Sequence, residues 1–136
     1  MESLNKIALT GSTGSIGLEF PKKCSKLYTR LEASTYKMIS EINRLKVKPE
    51  TLIHLSALVS TKKCKLNPKK AYELNILGAT KWYEASKYTG IKNFIFISTS
   101  HVYKSIKTKN VVINYGFDTK PDNIYGKSKL IAEKKL

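Results

Sequence analysis

The chain has 136 residues, 41% apolar and 26% charged, which suits one domain with a sizeable core and excludes a disordered chain or one built of membrane spans. Its formal charge is +15, yet all but two of the 25 basic residues are lysines, spread from Lys6 to Lys135 rather than gathered into an arginine-bearing, aromatic-interleaved strip. Nucleic acid is therefore not the expected partner, although the sign of the charge favours anionic ligands.

The first twelve residues, "MESLNKIALTGS", carry an acid and reach Gly and Ser after one short apolar run, unlike a secretory leader, so a cytoplasmic location is expected. "KIALT" (6–10) reads as a buried strand. A glycine-rich turn follows, and then a helix that Pro21 should kink, since proline removes a backbone donor. "YTRL" (28–31) is a weak strand candidate. "TYKMISEINRLK" (35–46) places Met38, Ile39, Ile42 and Leu45 at helical spacing and is closed off by Pro49. "TLIHLSA" (51–57) is a second clear strand. Residues 67–90 form a long helical pattern with an Asn cap, Pro at the first position and a terminal Gly, and Ala71, Asn75, Gly78, Trp82 and Ala85 share one face. "NFIFIS" (93–98) is the last strand, and helix returns after Pro121. Cys24 and Cys64 have no Cys or His near enough for a metal pattern and are expected to be reduced bystanders. Strands alternating with helices predict an α/β fold: a Rossmann-like parallel sheet with helices on both faces, filling residues 1–136 as one partial dinucleotide-binding domain.

The turn after the first strand, Gly11-Ser12-Thr13-Gly14-Ser15-Ile16-Gly17, holds three of the seven glycines. Glycine permits positive φ in a tight turn and lets backbone N–H groups approach a pyrophosphate at a helix start. Its Gly-x-x-Gly-x-x-Gly spacing resembles the cofactor loop of the short-chain dehydrogenase/reductase superfamily, in its extended branch of NAD-dependent epimerases, dehydratases and sugar-nucleotide reductases. Further segments resemble that family in the same order: "HLSA" (54–57), "NILGA" (75–79), "ISTSHVY" (97–103) and "YGKSKLIAEK" (125–134).

The resemblance implies NAD or NADP as cofactor, held by residues 11–17, by Leu55, Ser56 and Ala57, and by Tyr125 and Lys129. It implies Thr99, Tyr125 and Lys129 as catalytic residues and a nucleotide sugar as substrate. Four Tyr-x-x-x-Lys pairs occur, at Tyr83–Lys87, Tyr88–Lys92, Tyr103–Lys107 and Tyr125–Lys129, and only the wording around Tyr125 matches the family. On a helix, Lys129 would lie on the same face as Tyr125, and its charge would lower the phenol pKa toward a general base. Ser100-His101 stands where the family's dehydratases carry Asp-Glu, which leaves epimerase or reductase. His101 reads as an ordinary solvated or satisfied histidine.

Two departures qualify the resemblance. Between Gly17 and Thr51 one βα unit is missing, and with it the acidic residue that binds the adenosine ribose; Glu32 is a poor substitute, and Arg30 would suit NADP. The family's later strands and substrate region lie beyond the matched motifs. The 136-residue chain is accordingly expected to be an amino-terminal piece, a truncated gene or a degenerate relative, inactive alone, with its last helix fraying or docking on a second copy as a homodimer and with Tyr125 titrating as a free phenol. The alternative is a non-catalytic dinucleotide-binding module.

Overall fold

The computed structural model describes residues 2–105, 112–114 and 116–136. Four short strands, β1 (Ile7–Thr10), β2 (Ser25–Leu27), β3 (Thr51–His54) and β4 (Asn93–Phe96), form one parallel sheet in the order β2-β1-β3-β4. The chain leaves β1 toward one edge, pairs β2 there, then crosses back over β1 to β3 and β4. Right-handed crossovers that run in opposite directions put their helices on opposite faces. The sheet is one βα unit short of the common doubly wound half, because β2 is itself the edge strand.

One face is densely covered. Ala8, Leu27 and Leu52 from the sheet meet Met38 and Ile42 of α2 (Thr35–Asn43) and Trp82 and Ala85 of α5 (Gly78–Tyr88). The other face is served by α1 (Ser15–Leu18), which has only one turn. The register row Leu9–Ile53–Ile95 points to that side, and Ile95 at the open edge remains 44% exposed.

Pro21 explains the short α1, although it acts differently from the kink expected. The helix has already ended at Leu18, with Glu19 as its cap, so proline follows the helix and does not bend it. A residue preceding proline is driven out of the α region, which makes termination cheaper than a kink. β2 also lies three residues earlier than the "YTRL" candidate; residues 28–31 form the loop after the strand. There the carboxylate of Glu41 accepts from the Tyr28 N–H, from the Thr29 N–H at 2.7 Å and from the Thr29 hydroxyl, and that replaces sheet pairing. α2 stops at Asn43 rather than Lys46.

The long helical segment is continuous from Pro68 to Tyr88: α4 (Pro68–Tyr72), a π-helical turn (Glu73–Leu77) and α5. Asn67 caps it by accepting from the Lys70 N–H at 3.0 Å, and Gly90 follows it with φ +74. Ala71, Asn75, Gly78, Trp82 and Ala85 are all buried. A Cβ at Gly78 would meet Leu31 Cδ2 at 2.9 Å, so glycine permits the helix to approach the loop after β2. An unexpected helix, α3 (Thr61–Leu66), precedes α4, capped by Ser60. The last helix, α6 (Ile124–Glu133), packs against α3, α4 and the π turn. It is therefore docked within its own chain and not frayed, and Tyr125 and Lys129 are 9% and 1% exposed.

Candidate functional site

The carboxyl ends of the strands open into a cleft of about 620 Å³. Its walls come from the turn after β1 (Gly11–Gly17), the loop after β2 (Tyr28–Glu32), the segment after β3 (Leu55, Ser56, Ala57), Ile97 and Ser98 after β4, and Tyr125 and Lys129 of α6. It lies where the chain direction reverses, between β1 and β3, the place where open α/β sheets bind ligands. Of the residues singled out above, only Thr99 is not part of this wall, and it lies against Tyr125 instead.

The three loop glycines are glycine for different reasons. Gly11 has φ +70, and a Cβ there would come within 2.8 Å of the Ser56 nitrogen. At Gly17 a Cβ would lie 2.4 Å from the Gly11 oxygen, so this position lets α1 pack on the turn. Gly14 has neither constraint: its φ of -78 and ψ of 166 suit any residue, and a Cβ would meet nothing nearer than the Gly11 oxygen at 3.4 Å. The fold does not need glycine at position 14, but a group lying close over the loop would. Ser12 fits the same group, because its hydroxyl is buried with no hydrogen-bond partner among the described residues. The N–H groups of Ser15, Ile16 and Gly17 begin α1 and have no intrahelical acceptor. So short a helix adds little macrodipole, and these separate donors are what the loop offers a phosphate.

Under the cleft floor, His54 stacks on Phe94 and Phe96 with ring centroids 5.9 and 6.0 Å away. Its Nδ1 pairs with the Thr10 hydroxyl at 2.9 Å, and Thr10 Oγ1 also accepts from the Ser56 N–H at 3.4 Å, which ties β3's end to β1. Burial, with a contribution from the Lys129 charge, pushes the His54 pKa down to about 3. Lys129 itself sits with its Nζ 3.8 Å from the Phe96 ring centroid. Desolvation lowers its pKa to about 8, partly opposed by Glu133.

This geometry corrects the expected electrostatics of the Tyr125–Lys129 pair. The Tyr125 pKa is raised, chiefly by burial, with Thr99 acting the other way and Cys64 adding slightly to the rise. The Lys129 ammonium is directed at Phe96 instead of the phenol, so it does not act as the counter-charge that would favour phenolate. Nor is Tyr125 a free phenol in water. Two neighbours of Tyr125 carry no strong sequence signal: His101, whose ring lies edge-on at 5.8 Å, and Cys64, which is buried in the same cluster and donates to the Leu58 carbonyl at 3.2 Å.

Asn75 connects the walls. Its Oδ1 accepts from the Leu58 N–H at 2.7 Å, while its Nδ2 donates to the Leu58 carbonyl and to Ser128 Oγ at 2.9 Å. Ser128 in turn donates to the Tyr125 carbonyl at 2.7 Å. The π turn adds one residue to the helix register at this place. Of the other tyrosine–lysine pairs, Tyr83–Lys87 makes a surface cation–π contact at 5.3 Å and Tyr88 is 79% exposed. Lys107 of the Tyr103–Lys107 pair lies outside the described residues.

Sheet order, a cleft at the reversal point and a glycine turn entering a helix define a protein of the Rossmann-like class. Within that class the chain belongs to the RmlD substrate binding domain family, which matches residues 5–136. It is 29% identical over 138 residues to the spore coat polysaccharide biosynthesis protein SpsK of Bacillus subtilis, a match covering 96% of this chain and 47% of SpsK. Among solved structures it resembles a dTDP-4-dehydrorhamnose reductase from Clostridium acetobutylicum, with a TM-score of 0.77, 24% identity, and 95% of this chain and 48% of that one covered. It also resembles the Thermus thermophilus UDP-glucose 4-epimerase solved in complex with NAD, with a TM-score of 0.80, 19% identity, and coverage of 94% and 48%. The chain thus spans about half the length of these relatives. Among the described residues no helix is long and apolar enough to cross a membrane, and no cluster of residues could hold a metal ion.

Proposed function

We propose that this chain forms the dinucleotide-binding half of an NAD(P)-dependent nucleotide-sugar epimerase or reductase. The observation that carries the reading is the convergence on one cleft of the glycine turn, residues 55–57, Tyr125 and Lys129. A bound nicotinamide would supply hydride exchange. Gly14 and the loop N–H groups would carry the pyrophosphate, and the buried Lys129 would donate to a ribose hydroxyl. Tyr125 would hold the proton exchanged with the substrate oxygen, with Thr99 bonded to the same oxygen. The phenol is protonated at neutral pH and burial raises its pKa further, so it is in the state needed to donate to an oxygen becoming alkoxide during reduction.

A second reading, a dinucleotide-binding module without catalysis, is favoured by the Lys129 ammonium lying over Phe96 and away from the phenol. Calorimetric titration of the chain with NAD(P)H, followed by assay with UDP- and dTDP-linked sugars after the chain is joined to the carboxyl-terminal half of a relative, tests both. Binding together with turnover that Tyr125→Phe abolishes supports the enzyme. Binding without turnover supports the module, and no binding of either cofactor refutes both.

A further inference from the structure

We propose that the corner formed by α3 and α4 is a docking surface for an anionic lipid bilayer, with its lysines on the headgroups and Leu66 entering the acyl boundary. The inference is independent of the dinucleotide reading of the cleft. Lys62, Lys63, Lys65, Lys69 and Lys70 fall within nine residues, where an even spread of the chain's lysines would put about one or two. No acidic residue stands between Glu50 and Glu73, and the two ion pairs among the described residues both involve Glu50. These five ammonium groups therefore have no carboxylate partner among the described residues.

The helices turn these groups outward together. From Thr61 to Lys70 every residue is exposed except Cys64. Cys64 and Ala71, the one buried residue of each helix, meet in a single cluster with Tyr125 of α6. Residues two apart on an α-helix point to nearly opposite sides, so Lys62 and Leu66, on either side of Cys64, and Lys69, before Ala71, face away from that cluster. Lys63, Lys65 and Lys70 flank them. Leu66 stands between the two lysine groups in the chain and is 76% exposed. Val59, 61% exposed, precedes the corner and lines the cleft, so this surface adjoins the cleft's rim. Glu73, exposed one turn beyond Lys69, bounds it on the other side.

Charge alone would suit nucleic acid equally well, and the other side chains decide between the two. Residues 59–70 hold no arginine to fork onto a phosphate and no aromatic ring to stack on a base. Lysines around an exposed leucine instead complement a bilayer interface, where ammonium groups meet anionic headgroups and an apolar side chain enters just below them.

The test is co-sedimentation of the 136-residue chain with vesicles of phosphatidylcholine alone and with vesicles that also carry phosphatidylserine, at low and moderate salt. Binding to the anionic vesicles only is expected, and it should weaken with salt. The fourfold variant Lys62→Gln/Lys65→Gln/Lys69→Gln/Lys70→Gln should weaken it by about thirtyfold or more, since each lysine near an anionic surface contributes about fivefold. A second fourfold variant, Lys22→Gln/Lys23→Gln/Lys37→Gln/Lys46→Gln, removes the same charge from exposed positions elsewhere and should change binding by about threefold at most. Leu66→Ser should weaken it by about tenfold at both salt concentrations, because an apolar contact is not screened. Circular dichroism checks that each variant is folded, as substitutions at exposed positions should be. No binding to anionic vesicles at low salt, equal losses in the two fourfold variants, or a Leu66→Ser protein that binds as the parent does would overturn the proposal. So would tighter binding to a duplex oligonucleotide than to the vesicles, lost in the first fourfold variant, which would assign the surface to nucleic acid.

Discussion

Gly14→Val separates a glycine required by the fold from one required by a ligand. The backbone at residue 14 is extended, which a β-branched residue accepts, and the nearest obstacle to a Cβ is an ordinary contact at 3.4 Å. Valine is a poorer helix N-cap than glycine, but it also restricts the unfolded chain, so the net change in stability is about 1 kcal/mol or less. For a chain of this size that is a shift in Tm of roughly 4 °C at most. Binding should respond far more. An isopropyl group over the loop keeps a pyrophosphate away from the Ser15, Ile16 and Gly17 N–H groups, and losing one such charge-assisted bond costs about 2 kcal/mol, or roughly thirtyfold in Kd. Gly17→Ala is the contrasting control: its Cβ would sit 2.4 Å from the Gly11 oxygen, so it should lose stability before affinity can be judged. Thermal melts and NADPH titration of the two variants provide the assay. A Gly14→Val protein that melts near the parent temperature and binds NAD(P)H as tightly would refute the phosphate-cradle assignment.

Four further outcomes are expected. The Lys129 pKa, lowered from 10.5 to about 8, means that the unfolded chain holds this proton more tightly; the burden is complete below pH 8 and is relieved as pH rises toward 10.5. Lys129→Met should therefore be more stable than the parent at pH 7, by up to roughly 3 kcal/mol less the lost contact with Phe96, and the gap should shrink to about 1 kcal/mol or less by pH 10; a gap independent of pH contradicts the burial. The His54 pKa, lowered from 6.5 to about 3, leaves stability intact above pH 6.5 and erodes it as pH falls toward 3. NMR should find the His54 ring neutral at pH 5, and a ring protonated there would show the stack on Phe94 and Phe96 to be open. Ultraviolet titration of the parent minus Tyr125→Phe should yield a phenol ionising above 10, and a value at or below 10 would restore Lys129 as its counter-charge. Asn75→Ala leaves the Leu58 N–H without an acceptor and should cost about 2–3 kcal/mol in chemical denaturation, while a loss under 0.5 kcal/mol would show that water replaces the amide.

The parts of this protein legible in its sequence are those governed by local chemistry. β1, β3 and β4 stand out as short β-branched or aromatic runs bounded by turn formers. The long helix declares itself through Asn67, Pro68 and Gly90, and the glycine turn through its spacing. Boundaries are less legible: α3 has only its Ser60 cap to mark it, and β2 ends just before the run with the strand character, three residues earlier in the chain. Both depend on partners remote in sequence, since "YTRL" has strand character until Glu41, a helix away, takes its backbone donors. The electrostatics of the site were not legible at all. Spacing alone places Lys129 and Tyr125 on one face of a helix, but side-chain direction depends on what lies opposite, and only the tertiary structure sets Phe96 beneath the ammonium. The roles of the three glycines likewise divide only in space. The sequence by itself determined the strand–turn–helix order that builds the cleft, because hydrophobic runs and turn residues act locally. The packing decided which groups are charged, buried or free within it, because desolvation and contact depend on neighbours that the chain brings together only by folding.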